Sequence, residues 1–447
     1  MLWQFDFLTQ YVKINHRIII YFKLEGQTNT VTMSQLTNYV HRIRNFSVNA
    51  RSFLGCVVLS FISLGAMQVI LGLYFLELGY TESFVGKAVA ARTLATGILA
   101  IPAGALIEKM GPKRILLMAS FLIGSSLIVQ GITSNKIILI GANLIYGSAF
   151  AILLVMMAPF LSNNSDDNER EELFSFNFIL MTAARTIGTL LVGFLPPLFF
   201  NTILAGKTNT VLAYQYVLIT LGIISLGAII PALFIYEKEN KFNCSKKKAR
   251  LVTSLKKKRI RRLSLYQLFF GIGSGMIAPF FSVFLAKNLG AGSERVSTIM
   301  FLYRAAIALA LFLTPLLTNK FGKVKSVGVA QFGSLPFLLA IVLVPNFAVV
   351  SMAFLLRGAL VNMARPIASD FAMEITPDTQ QTIASSLMRT SKSIAHGGSA
   401  TAAGWIINHF GYQATYFLTF CFYFISALLF VKSFRELEQK ELQYRTG

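Results

Sequence analysis

The sequence predicts an all-α membrane protein of twelve transmembrane helices, arranged as two related six-helix halves around a central cavity. Three observations carry this. Apolar residues make up 55% of the 447-residue chain and charged residues only 13%, with a mean hydropathy of +0.62. A soluble domain of this size needs far more charge to dress its surface. Apolar runs of about 20 residues, enough to cross a bilayer, recur along most of the chain, and lipid forces such runs to be helical because it offers the backbone no hydrogen-bond partner. Finally, several features of the first half return 211 residues later.

Residues 1–53 form a polar N-terminal segment without a regular pattern. Its apolar run Ile18 to Phe22 is too short for a secretory signal. Met33 offers an alternative start that would leave residues 1–32 untranslated, and the sequence leaves the choice between Met1 and Met33 open. The N-terminal half, 54–236, holds helices at about 54–77, 84–107, 113–132, 136–161, 173–199 and 211–236. Leu78-Gly79 follows the first, Arg92 lies inside the second, Gly147 inside the fourth and Arg185 inside the fifth. A basic linker, 237–262, separates it from the C-terminal half, 263–433. Helices there fall at about 263–286, 296–318, 325–345, 348–369, 382–407 and 411–433. Helix 8 carries Arg304, helix 10 Arg357 and Arg365, and helix 11 Arg389, Lys392 and His396. Residues 434–447 are a tail. Three features share the 211-residue offset: Leu78-Gly79 with Leu289-Gly290, Lys109-x-Gly111 with Lys320-x-Gly322, and Gly147 with Gly358. Two parallel halves joined by a linker suit a substrate site between them.

The formal charge of +22 invites a nucleic-acid reading, which the placement of the basic residues opposes. With the N-terminus inside, 29 Lys and Arg fall in inward segments, against five outward: Lys87, Lys136, Lys207, Lys287 and Arg295. The positive-inside rule expects this asymmetry. The run Lys246 to Arg262 sets topology and meets anionic lipid heads rather than bases. Both termini are then cytoplasmic, in a multi-pass protein of the cell membrane. Cys56, Cys244 and Cys421 form no disulfide framework, and His16, His41, His396 and His409 have no metal-ligand spacing. No phosphate loop of the Gly-x-x-x-x-Gly-Lys-Ser/Thr type occurs, which argues against an ATP-driven pump. Gly271, Gly273 and Gly275 spell a nucleotide fingerprint only as text, since no strand precedes them and close helix packing explains them better. No nucleophile–base pair lies in the membrane, so no enzyme, catalytic residue, metal or cofactor is expected.

The helix 2–3 loop reads Gly104-Ala-Leu-Ile-Glu108-Lys109-Met-Gly111-Pro-Lys113-Arg114, with a weaker copy in Asn319-Lys320-Phe-Gly322 before Lys325. This resembles the loop motif of the major facilitator superfamily, Gly-x-x-x-Asp-Arg/Lys-x-Gly-x-Arg/Lys-Arg/Lys, and its half-copy sits where that superfamily repeats it. The resemblance covers about residues 54–433. It implies a secondary transporter whose loop, through Gly104, Glu108, Lys109, Gly111, Lys113, Arg114, Asn319, Lys320 and Gly322, helps hold the outward-open state. Physically, Gly104 allows close helix approach, Gly111 a tight turn, and Glu108 can pair with a cation or a helix N-terminus. Glu replaces the usual Asp. The proton-antiport motif of drug exporters, an Arg four residues before a Gly of helix 4, is absent: Asn143 stands there, with Tyr146 next to Gly147.

Embedded charge is the handle on chemistry. An ionisable group at the bilayer centre costs roughly 2.5–3.5 kcal/mol on insertion scales. None of the embedded cations falls on helices 3, 6, 9 or 12, which the resembled fold turns to lipid. No Asp or Glu lies mid-helix, so the interior is short of counter-charge. Arg365 is expected to snorkel to the inner surface, and Arg185 and Lys392 match as a structural pair (Ala-Arg-Thr-Ile-Gly against Ser-Lys-Ser-Ile-Ala). Arg92, Arg304, Arg357, Arg389, Lys392 and His396 are the candidate substrate ligands. Arg92 and Arg304 are the sharpest pair, although their offset of 212 rotates one against the other by about 100°. The sequence thus favours alternating-access transport of a small, anionic solute by a functional monomer in the bilayer. A drug exporter of the same superfamily is the alternative and a non-transporting membrane sensor the second. No residue names the coupling ion, the direction of transport or the solute.

Overall fold

The computed structural model describes residues 12–14, 17–24, 27–32, 46–202, 210–236 and 258–446. Most of linker 237–262, including Cys244 and Lys246 to Lys257, lies outside the described residues, as do Met1 and Met33. The N-terminal segment is more ordered than the sequence suggests. Three strands, β1 (Val12–Ile14), β2 (Arg17–Leu24) and β3 (Gln27–Thr32), pair antiparallel in the order β1-β2-β3, with Val12 opposite Ile19 and Ile19 opposite Thr32. The run Ile18 to Phe22 is rich in β-branched and aromatic residues, which fit a pleated ribbon better than a coil.

The rest is helical. The N-terminal half holds α1 (Val48–Glu77), α2 (Glu82–Met110), α3 (Pro112–Ile132), α4 (Lys136–Asn163), α5 (Asp167–Thr202) and α6 (Thr210–Leu226, continued by Ile229–Leu233). The C-terminal half holds α7 (Lys258–Ile277 with Phe281–Leu289), α8 (Ser293–Phe312 with Thr314–Phe321), α9 (Lys323–Leu343) and α10 (Phe347–Glu374). The last two helices, α11 (378–410) and α12 (412–446), run on from each other across a break at Gly411, whose φ of 78° no helix contains. Among the described residues nine helices are long and apolar enough to cross a membrane, or eleven with the two bent pairs counted. One of these stretches contains the Gly411 break, so the set is compatible with twelve crossings.

The internal repeat is written into the backbone. Gly79 and Gly290 have φ of +79° and +61°, and Gly111 and Gly322 have +82° and +77°. Those values lie in the left-handed region that glycine enters freely. Asn135 and Asn346, also 211 apart, cap α4 and α10 by accepting two backbone N–H groups each. Gly147 lets α4 press on the carbonyl of Arg92, and Gly358 lets α10 press on the ring of Tyr303. Tyr303, not Arg304, is therefore the counterpart of Arg92. Large apolar side chains are exposed along α3 (Phe121), α6 (Ile223), α9 (Val329) and α12 (Phe417), four helices that carry no embedded cation.

We call the end carrying loops 108–114 and 319–325 the basic end, and the end carrying Gly79, Gly290 and Gly411 the far end. Contacts between the halves cluster toward the far end. Glu82 at the start of α2, only 3% exposed, accepts a hydrogen bond and ion pair from Lys287 of α7 at 2.6 Å and another hydrogen bond from the Tyr412 hydroxyl at 3.4 Å. Gly404 fits against the backbone of Glu82 and Ser83, Gly86 against Ala400, and Gly193 against Ser297. Along α2, Val85 and Ala88 are fully buried, whereas Ile98 is 57% exposed nearer the basic end. Along α8, Val296 is fully buried and Leu309 is 68% exposed. The two halves are closed on each other at the far end and stand apart toward the basic end.

Candidate functional site

Helices α2, α5, α8, α10 and α11 carry the embedded cations, and all but Arg357 and the exposed Arg389 gather in one region between the halves. Arg304 reaches across from the C-terminal half. Its Nε donates to Thr189 Oγ1 on α5 at 3.0 Å, and its Nη2 donates to Gln68 Oε1 on α1 at 2.7 Å. Arg185 lies within electrostatic reach of Arg304 and Arg365. Its guanidinium carbon sits 4.8 Å from the centre of the Phe61 ring, a favourable cation–π contact, and its Nε is buried without a hydrogen-bond partner. Arg92 and Arg185 both act on the buried Tyr146, whose hydroxyl lies 3.3 Å from Ser63 Oγ. Arg92 Nη1 is also buried without a partner.

On the other wall, Lys392 sits 5.2 Å from the Phe270 ring centre and feels the charges of Arg365 and Arg389. His396 Nδ1 lies 3.1 Å from Ser274 Oγ, within reach of Lys392, Arg92 and Arg365. Gly271 and Gly275 of α7 make this wall possible, because a Cβ at either would strike the carbonyl of Lys392 or of His396. Close packing is their role, as their apolar setting suggested. The Arg185 carbonyl abuts Gly65 much as the His396 carbonyl abuts Gly275. The partner of Arg185 in the repeat is thus His396, one helical turn beyond the expected Lys392.

Arg365 is exposed, donates from Nη1 to Asn362 Oδ1 at 3.0 Å, and lies within electrostatic reach of Arg185, Lys392 and His396. Arg357 is buried, with its guanidinium 5.0 Å from the Tyr423 ring centre, and packs within the C-terminal half. Arg389 is exposed on α11. Arg92 and Arg304 come from opposite halves and have different neighbours: Arg92 lies within electrostatic reach of Tyr146 and His396, and Arg304 hydrogen-bonds Thr189 and Gln68 within electrostatic reach of Arg185. Every described Asp and Glu lies toward one end of a helix or in a connection, none beside the cations. Among the described residues no cluster could hold a metal ion.

The loop motif shows two states of tether. Glu108, Lys109 and Arg114 are exposed, and among the described residues no ion pair holds Glu108. Gly104 is half-buried and Gly111 makes the turn into α3. Lys113 is half-exposed in the first turn of α3. In the second copy Asn319 and Lys320 are exposed, yet the turn at Gly322 is tied down. Lys323 bridges Asp370 at 2.5 Å and Glu374 at 2.8 Å, and the backbone N–H of Val324 donates to Glu438 Oε1 at 3.0 Å. The linker's last cations are structural: Arg259 donates to the Ile375 carbonyl at the end of α10, and Arg262 to the Ser433 carbonyl within α12. The residue at the lost proton-antiport position, Asn143, donates to Gln130 Oε1 and the Leu139 carbonyl, both at 2.9 Å, inside the N-terminal half.

Sequence reasoning missed Gln68, Thr189 and Glu82. The first two are neutral polar residues on apolar helices, which carry no pattern of their own. Glu82 opens a helix, where acids are routine, and only the fold shows it buried. For Arg185 and Arg365 the signal was present, an embedded cation without a carboxylate.

This arrangement has known counterparts. The sequence matches the Major Facilitator Superfamily profile over residues 53–265 and again over 263–445. The chain belongs to that superfamily. Among solved structures it is similar to the nucleoside transporter NupG, with a TM-score of 0.71 at 13% identity over 86% of this chain and 99% of that one. It is also similar to a bacterial homolog of the human lysosomal transporter Spinster in an inward-facing, unoccupied conformation, with a TM-score of 0.72 at 14% identity over 87% and 96%. At such identities the likeness is one of fold. No curated protein matches the sequence.

Proposed function

We propose that the protein is a secondary transporter that carries a small anionic solute between the two halves by alternating access. The observation that carries this reading is the group of cations between the halves, Arg92, Arg185, Arg304, Arg365 and Lys392, with no carboxylate beside it among the described residues. Guanidinium forks match carboxylate or phosphate oxygens, and an anion between like charges relieves their repulsion. Arg389 and His396 border the group, and Arg357 serves packing. In this reading the basic end faces the cytoplasm, the structure is inward-open, and Glu108 is free because its motif engages when that end closes. The same motif and fold would serve a drug exporter, but among the described residues a cationic drug finds no acidic partner at this group. Arg92→Lys and Arg304→Lys keep the charge and lose the fork. Uptake of labelled anions into proteoliposomes, screened as a panel, should find a substrate whose transport falls at least tenfold in both variants. A transported cation or neutral solute, with no anion carried, refutes the proposal.

A further inference from the structure

We infer that the carrier exchanges one anion for another, crossing loaded in both directions, because its empty cavity cannot close. The inference rests on the reading of the cavity as an anion site. The argument begins with what neutralises each cation when nothing is bound. Arg304 is satisfied in hydrogen bonds, but by Thr189 and Gln68, whose neutral dipoles leave its charge uncompensated. Arg185 and Lys392 rest on the rings of Phe61 and Phe270, contacts that soften a charge without cancelling it. Arg92 Nη1 and Arg185 Nε have no partner at all. In the present conformation Arg365 and Arg389 are exposed, and solvent reaching them screens the group.

Alternating access requires an intermediate shut at both ends. Closing the basic end removes that water and brings the walls together, so each like-charge repulsion strengthens as the local dielectric falls. Burying unpaired charge is the costliest outcome available to a protein interior. An occupant of charge −2 or more removes most of that cost, and an occupant of charge −1 removes part of it. The loaded carrier therefore occludes and the empty one is held at the opening. A carrier with an internal carboxylate could return empty by pairing its own charges; among the described residues this chain has none at the site. Exchange of anions follows, with divalent anions favoured over monovalent ones.

The test follows conformation. In the purified full-length protein Cys56, Cys244 and Cys421 are replaced by serine, and spin labels are attached at Ser134→Cys and Pro345→Cys, exposed far-end positions of the two halves. In a buffer whose anions are all too bulky to enter, the far-end distance should be single and short. Inorganic phosphate, succinate or phenyl phosphate should raise a longer-distance population at least tenfold, and chloride should raise it less. The variant Arg185→Gln/Lys392→Gln should show the longer population with no small anion present. Wild-type protein that opens its far end as readily without small anions overturns the inference, whether or not the variant folds. A folded variant that stays closed overturns it as well, because charge is then not the lock. A locked wild type with a freed variant, unmoved by all three anions, supports the lock and counts against those anions as cargo.

Discussion

The far-end ion pair between Glu82 and Lys287 allows a quantitative test of how the halves are held. Removing one partner of a fully buried pair costs about 3–5 kcal/mol, and an exposed pair contributes about 0.2–1 kcal/mol. This pair is lopsided: Glu82 is 3% exposed and Lys287 57%. Glu82→Gln releases a lysine that water can solvate and keeps an acceptor for the Tyr412 hydroxyl. It should weaken far-end closure by about 1 kcal/mol, roughly a fivefold change in the closed-to-open ratio. Lys287→Met instead leaves a buried carboxylate with only the tyrosine hydroxyl, so it should cost more, about 2 kcal/mol or roughly thirtyfold. The double variant should fall short of the sum, since the charge that Lys287→Met strands is gone. Spin-label distances between residues 134 and 345, measured for all four proteins, give the ratios. Equal effects from the two single variants, or a strictly additive double, would refute the claim that burial of Glu82 sets the asymmetry.

Gly147→Ala puts a Cβ against the Arg92 carbonyl and should cost about 1–3 kcal/mol, seen as a lower melting temperature in detergent; Gly141→Ala on the same helix has open space and should melt like wild type. Glu108→Gln should slow transport of the identified substrate severalfold while insertion and folding stay normal, and an unchanged rate would reduce the loop to a topology signal. Cys244, in the linker, should react with an impermeant maleimide only after the membrane is opened or inverted; labelling of intact cells would reverse the whole orientation.

Much of this fold was legible because the bilayer imposes a strong pattern: long apolar runs, punctuated by glycine turns, leave few alternatives to a bundle of spanning helices. The repeat was legible because its markers, Gly79, Gly111, Gly290 and Gly322, hold backbone conformations that other residues avoid. The cations were visible as rare charges in apolar runs. Their pairing was not. Which cation meets which depends on helix rotation and on the approach permitted by Gly65, Gly271 and Gly275, and no local pattern encodes that. The tie of Asn49 to Asn164 and Tyr236, which closes the basic end of the N-terminal half with bonds of 2.8–2.9 Å, was invisible for the same reason. Single asparagines become informative only when a fold brings them together.

The one-residue slip between the two halves has a consequence for whatever they hold. A strict duplicate would set the same side chain at the two matched positions, and a symmetric cargo could sit either way round. Here Arg92 faces a tyrosine as its twin and Arg304 a threonine, Thr93. By sequence register the two arginines are turned about 100° apart around their helix axes, and their surroundings differ, with Tyr146 and His396 within reach of Arg92 and Thr189, Gln68 and Arg185 around Arg304. On the proposed reading, an anion held between them would meet unlike partners at its two ends, so one orientation would be favoured over the other.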